Sequence, residues 1–229
     1  MHSRVSRDTL GRINYFSRGG AMLLLIMCCI ESPSAQSIIR ANLELKCENP
    51  SRYPGISFDS EATSACTSVR DKSDKLVEAL QLASPATSAD SWRSWLQSPQ
   101  CKEEAFKAIE GAAAELEQVT NTAFSRAKDK LNSARQLAKI AQEMKSTHNA
   151  EQASAILLQS NAYADMVEDT FSLIPQVYVT YGDRALAAKC YRQADKAYRF
   201  VVERYSDEKL LALRERAKIG IDDVRAKTK

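Results

Sequence analysis

The chain has 229 residues, with 32 Lys or Arg against 29 Asp or Glu, and a formal net charge of +3 at pH 7. Loss of residues 1–35 would remove four arginines, Asp8 and Glu31, which leaves a nearly neutral chain with no electrostatic basis for binding nucleic acid or a membrane surface. Only 7% of the residues are aromatic and seven are glycine. This composition favours helix over strand.

Residues 1–35 have the pattern of an export signal. Four arginines precede the apolar run Ala21 to Ile30, and small residues follow at Ser32, Ser34 and Ala35. The run is too short to span a bilayer, which needs about 20 helical residues, so no stable membrane span is expected. We predict cleavage near Ala35 and an exported protein, either periplasmic or secreted.

Lipid attachment is the alternative fate of this segment. Cys28 and Cys29 end the apolar run, where the acceptor cysteine of a bacterial lipoprotein would stand. Met27 precedes Cys28, however, and the lipoprotein pattern has a small residue there. The sequence therefore favours cleavage over lipid anchoring.

Four cysteines remain after residue 35, and an even number in an exported chain predicts up to two disulfides. They are Cys47, Cys66, Cys101 and Cys190. Three pairings are open, and proximity in the sequence favours Cys47 with Cys66 and Cys101 with Cys190. Buried free thiols are the alternative. No two of these cysteines have the spacing of a zinc knuckle, so no metal or other cofactor is expected.

The first part of the mature chain is predicted to be a lead-in followed by helices. Residues 36–60 contain several turn signals and form an irregular lead-in, which we expect to pack on the domain through Cys47. Residues 61–147 form the helical N-terminal part, beginning with a helix from Glu61 to Leu82. A short helix follows that carries Trp92 and Trp95 on one face, and we expect both rings to be buried.

The segment from Cys101 to Thr147 contains no proline, and its apolar residues return to one side at spacings of three and four. This pattern predicts one very long helix or two in series, within an antiparallel bundle or a coiled-coil-like hairpin. The weak point is 118–122, because threonine and asparagine are poor helix formers.

Residues 148–229 form the C-terminal part, again helical. Asn149 with Gln152 predicts a capping box that starts a helix running to Pro175. Pro175 suits the first turn of the next helix. Ser206 and Asp207 are predicted to cap a last helix, which is apolar on one face and charged elsewhere and could close a stack of helices.

One stretch in this part resembles a tetratricopeptide repeat (TPR), a two-helix unit of about 34 residues. The spacing reads Tyr-x2-Tyr-Gly-x2-Ala, followed by Ala-x3-Tyr. Three residues fit the family pattern: Gly182, Ala194 and Tyr198. Tyr178 and Tyr181 stand where the family has tryptophan and leucine, Ala185 stands where it has tyrosine, and Ser206 stands where it has the closing proline. The pattern occurs as one degenerate copy, at about 175–208.

The resemblance implies antiparallel helix hairpins in which Gly182 and Ala194 lie where two helices touch. It also implies a shallow groove lined by the first helix of each pair. Four residues would then face a partner: Gln176, Val179, Asp183 and Leu186. The function that follows is a non-enzymatic, exported interaction module that binds a protein or peptide through a TPR-like groove.

Two other functions are consistent with the sequence. The protein could be a structural or assembly component of a bacterial envelope or secretion apparatus, acting by self-association of the 101–147 helix. It could also be a small secreted enzyme that uses carboxylates carried on helices. His148 is the one histidine beyond residue 35, it falls in a predicted turn, and no motif supplies a nucleophile beside it.

Overall fold

Helices form in the order that the apolar periodicity predicts. The computed structural model describes residues 43–53, 60–83 and 101–229. Six α-helices and no β-strand lie in these ranges, so the predicted all-α fold is confirmed for them. The helices are α1 (Ser60–Leu82), α2 (Glu103–Met144), α3 (Thr147–Thr170), α4 (Leu173–Ala187), α5 (Tyr191–Arg204) and α6 (Leu211–Thr228). The predicted signal segment and the predicted helix around Trp92 and Trp95 lie outside the described residues.

The long helix α2 is continuous. It has 42 residues, which corresponds to about 63 Å at the rise of an α-helix. At its predicted weak point the helix continues, and the hydroxyls of Thr120 and Thr122 donate to the carbonyl oxygens of Leu116 and Gln118, each at 2.9 Å. The segment is therefore one helix rather than two in series.

Helices α2 and α3 form an antiparallel hairpin joined by a tight turn. Lys145 takes up a left-handed conformation with φ of 51°, and the Ser146 hydroxyl then accepts from the backbone N–H of Asn149 at 3.3 Å. Ser146 is thus the N-cap of α3, and the predicted capping box on Asn149 and Gln152 is wrong. Asn149 already lies inside the helix, where its side chain can no longer cap it.

Three short contacts tie the lead-in to the helices. Cys47 is bonded to Cys66 of α1 with an S–S distance of 2.04 Å. The backbone N–H of Lys46 donates to Asp169 Oδ2 at 2.7 Å, and the Tyr53 hydroxyl donates to Asp165 Oδ2 at 2.7 Å. For residues 43–53, the expected packing of the lead-in is confirmed.

The main core lies at the base of the hairpin, where α1, α4 and α5 surround the first half of α2. Phe106 of α2 is buried, and its ring lies 5.8 Å from that of Tyr178 and 5.9 Å from that of Tyr181. Tyr178 in turn stacks on Phe200 of α5 at 3.8 Å between ring centroids. These aromatic rings fill the space between helices that are too far apart to touch through alanine side chains.

The second disulfide joins the start of α2 to the start of α5. Cys101 is bonded to Cys190, and the carbonyl of Cys101 also accepts from the Gln193 side chain at 2.8 Å. Lys196 and Glu103 form an ion pair beside it at 2.8 Å. Both disulfide pairings favoured by sequence proximity are confirmed.

The last helix packs as predicted but begins later. Its N-cap is Leu210, so the prediction that Ser206 and Asp207 cap this helix is wrong. The Asp207 carboxylate accepts from the backbone N–H of Lys209 at 2.8 Å and caps the 3-10 turn Glu208–Leu210 that leads into α6. The predicted apolar face of α6 is turned inward. Its members Leu210, Ala217, Ile221 and Val224 are buried, and Leu213 packs against the core.

Candidate functional site

The TPR-like residues form the interior of the α4–α5–α6 unit. Tyr178, Tyr181, Ala194 and Tyr198 are fully buried. Gly182 of α4 faces the Tyr198 ring, and a Cβ atom at this glycine would lie 2.6 Å from Tyr198 Cε1. The close approach at Gly182 thus accommodates a tyrosine ring, and this ring also contacts Gly220 of α6.

A polar network closes the outer edge of this tyrosine. The Tyr198 hydroxyl donates to Asp183 Oδ1 at 2.6 Å, and Arg216 of α6 donates to the same oxygen at 2.6 Å. Burial raises the pKa of the Tyr198 hydroxyl, and its hydrogen bond to Asp183 raises that pKa further. The hydroxyl therefore stays protonated well above neutral pH and acts as a hydrogen-bond donor that links α5 to α4.

The four residues expected to face a partner do not form an open groove. Val179 and Leu186 are buried, with 6% and 8% of their surfaces exposed, so their expected accessibility is wrong. Helix α4 contacts α1, α5 and α6, which leaves little of its surface free. Asp183 is partly exposed but already bonded to Tyr198 and Arg216. Gln176 is partly exposed, and its side chain donates to Ser172 at 3.0 Å.

The outer half of the α2–α3 hairpin, residues 128–160, is not covered by any other described helix. We call it the arm. Helix α1 begins at Ser60, and the ion pair of Glu61 with Arg126 at 3.1 Å marks how far it extends along α2. Beyond that level the arm consists of two helices. Its buried residues are small: Ala134, Ala141, Ala153 and Ser160.

The two helices of the arm are held by a narrow alanine seam. The Ser160 hydroxyl donates to the Ala127 carbonyl at 2.7 Å, and Lys130 Nζ donates to Gln159 Oε1 at 2.9 Å. The short serine side chain places residue 127 level with 160, and the longer Lys130 and Gln159 side chains meet on the same part of the hairpin. Small residues at the seam allow the two backbones to approach closely.

An apolar groove runs along one side of this seam, with a volume of about 500 Å³. Leu131 and Leu157 line it towards the base, and Ala138 and Ala150 line it towards the tip. Leu157 is 41% exposed. Arg135 is the one charged side chain among the described residues that line the groove, so the surface is suited to an apolar, helical contact.

The described residues give no support to a metal site. Within these ranges no group of three or more His, Cys, Asp or Glu side chains is placed to hold a metal ion. His148 is exposed, and its Nε2 atom lies 3.0 Å from the Gln152 amide nitrogen. Glu103 forms an ion pair with Lys196 and so takes part in joining α2 to α5.

No helix in the described ranges is both long and apolar enough to cross a membrane. A comparison of the chain with protein-family models, with curated proteins and with solved structures finds no match. The resemblance to tetratricopeptide repeats therefore rests on its own residues, and the functional argument rests on the surface of this molecule.

The sequence contains a signal for the groove in the spacing of its apolar residues. Phe124, Leu131 and Ala138 follow one another at intervals of seven, as do Ala150 and Leu157. This spacing places each set on one stripe of its helix, next to the alanine seam. A stripe adjacent to the seam is buried only when a further helix covers it.

Proposed function

We propose that this chain is an exported, non-enzymatic interaction module whose contact surface is the arm. The observation that carries the proposal is the apolar groove between two neighbouring helices, in which Leu157 keeps 41% of its surface exposed and Ala138 and Ala150 are exposed as well. Exposed apolar residues that form a continuous stripe indicate a protein contact more strongly than scattered ones do.

Two further observations support the export and the scaffold role. Two disulfides are typical of proteins that fold in an oxidising compartment. One joins α5 to α2, which carries the arm, and the other joins the lead-in to α1, which packs on α2. We retain a TPR-like description for the α4–α5–α6 unit as part of this proposal, with Tyr198 between two glycines as its central contact.

The proposal is tested by affinity capture from the native envelope fraction, using the mature protein as bait. Leu157→Glu places a charge in the stripe, and Leu211→Glu is the matched control because Leu211 is a 53% exposed leucine on α6. We expect the proteins that the wild type and Leu211→Glu retain, a second copy of the chain included, to be lost with Leu157→Glu. The same set on all three baits would show that the arm is not the contact surface.

A further inference from the structure

We infer that the groove of the arm is filled by a second copy of this chain, so that two arms lie antiparallel and form a four-helix bundle. The inference rests on the proposed function and specifies its partner. It is carried by three properties of the arm: the exposure of its apolar rows, the order of large and small residues along them, and the size of the face.

The hairpin itself leaves part of its apolar rows uncovered. Ala127, Ala134 and Ala141 form the seam of α2, and their spacing of seven makes them one position of a heptad. Leu131 and Ala138 form the second apolar position of the same heptad. Ala138 and Leu157 nevertheless stay exposed at the groove. In helix bundles, another helical layer covers such residues.

The order of side chains along the groove makes the surface complementary to itself. Because the helices are antiparallel and residue 127 is level with 160, Leu131 is roughly level with Leu157, and Ala138 with Ala150, and all four line the groove. The groove therefore has a large pair at its base and a small pair towards its tip. A second copy turned by 180° about an axis across the arm places its leucine pair on the alanine pair of the first, and large residues then face small ones at both levels.

The size of the face is sufficient for a weak dimer. The arm is about 25 Å long and about 20 Å wide, or roughly 500 Å² per copy, from the rise of an α-helix and the usual distance between packed helices. About 1,000 Å² in total is in the range of weak, transient protein interfaces. We therefore expect association in the micromolar range rather than a permanent dimer.

The position of Arg135 tests the antiparallel orientation of the two arms. The two-fold axis passes between the levels of Leu131 and Ala138, so Arg135 would lie close to its own counterpart. Like charges at that distance oppose association. Replacement by Arg135→Gln should therefore leave the dimer at least as tight as in the wild type, and a weaker dimer would contradict the antiparallel arrangement.

Sedimentation velocity of the mature protein from about 1 to about 500 µM tests the inference, because this range brackets the affinity expected for such an interface. We expect a monomer–dimer equilibrium that Ala138→Glu weakens about tenfold or more, since the new carboxylate would be buried against a leucine. Gln136→Glu is the matched control, because it adds the same charge to an exposed position of the same helix. A strict monomer throughout, or a dimer unaffected by Ala138→Glu, would overturn the inference.

Thiol pairing tests the orientation directly. Residues 131 and 138 of one helix are about 10 Å apart, which is too far for a disulfide within the chain. We expect the double variant Leu131→Cys with Ala138→Cys to form covalent dimers on mild oxidation, while each single variant does not. Covalent dimers from both single variants alone would contradict the antiparallel register. If the chain is monomeric but Leu157→Glu still loses a different captured protein, this inference fails while the proposed function stands.

Discussion

At the scale of single residues, Tyr198 shows how a large side chain is accommodated between three helices. Its ring lies against Gly182 of α4 and Gly220 of α6, and a Cβ atom at either glycine would overlap it. Its hydroxyl is held by Asp183, which Arg216 also contacts. The ring can therefore move neither inward nor outward without losing a contact.

We predict that Gly220→Ala destabilises the protein by about 1–3 kcal/mol, the usual cost of overpacking a core. The measurement is the free energy of unfolding in urea. Gly111→Ala is the control, because no other atom lies within 4 Å of a Cβ at Gly111 on α2. Alanine there should stabilise the helix by about 0.5–1 kcal/mol. Equal effects of both substitutions would show that the Tyr198 ring does not fix this contact.

At the scale of elements, ion pairs connect α1 to α2 along the base. Glu115 of α2 accepts from Lys75 Nζ at 2.7 Å and from Lys72 Nζ at 2.9 Å. These hydrogen bonds, first that of Lys75 and then that of Lys72, lower the pKa of the Glu115 carboxyl from 4.5 to about 2. The charged carboxylate is thus favoured in the folded state.

A pH dependence follows from this lowered pKa. The ion pairs contribute to stability above pH 4.5, where Glu115 is charged in both the folded and the unfolded chain. Their contribution decreases as pH falls from 4.5 towards 2. We predict that Glu115→Gln is less stable than the wild type at pH 7 and that the two thermal midpoints converge by about pH 2. A constant difference between the midpoints over this range would contradict the assignment.

At the scale of the whole molecule, the two disulfides differ in how much chain they close. Cys101–Cys190 spans 89 residues and joins α2 to α5, whereas Cys47–Cys66 spans 19 residues and joins the lead-in to α1. A longer closed loop removes more entropy from the unfolded chain. The longer one also encloses the entire α2–α3 hairpin.

We predict that the pair Cys101→Ala and Cys190→Ala lowers the free energy of unfolding by about 2–5 kcal/mol. The loss should exceed that of Cys47→Ala with Cys66→Ala by about 1 kcal/mol, because loop entropy grows with the logarithm of loop length. Urea unfolding of the two double variants under identical conditions measures the difference. A larger loss from the shorter loop would show that local packing around Cys47 outweighs chain entropy.

The arm and the TPR-like unit show why tertiary structure was needed. Phe124, Leu131 and Leu157 belong to the same apolar series as buried residues of their helices, and sequence alone cannot show which flank of a hairpin another helix covers. Val179 and Leu186 were expected to face outward by analogy with a repeat, but contacts of α4 with α1, α5 and α6 bury them. Such burial depends on elements distant in the sequence.

The sequence by itself determined the all-α class and the order of the helices, and proximity favoured the cysteine pairing that the structure has. These properties depend on local periodicity and chain distance, which the sequence contains directly. The tertiary structure decided that α2 is one helix and that α1 packs on α2 only as far as Arg126. It also decided that an apolar groove is left exposed beyond that residue. The physical reason is that the exposure of a side chain depends on which helix faces pack together. Those faces belong to segments that are far apart in the sequence.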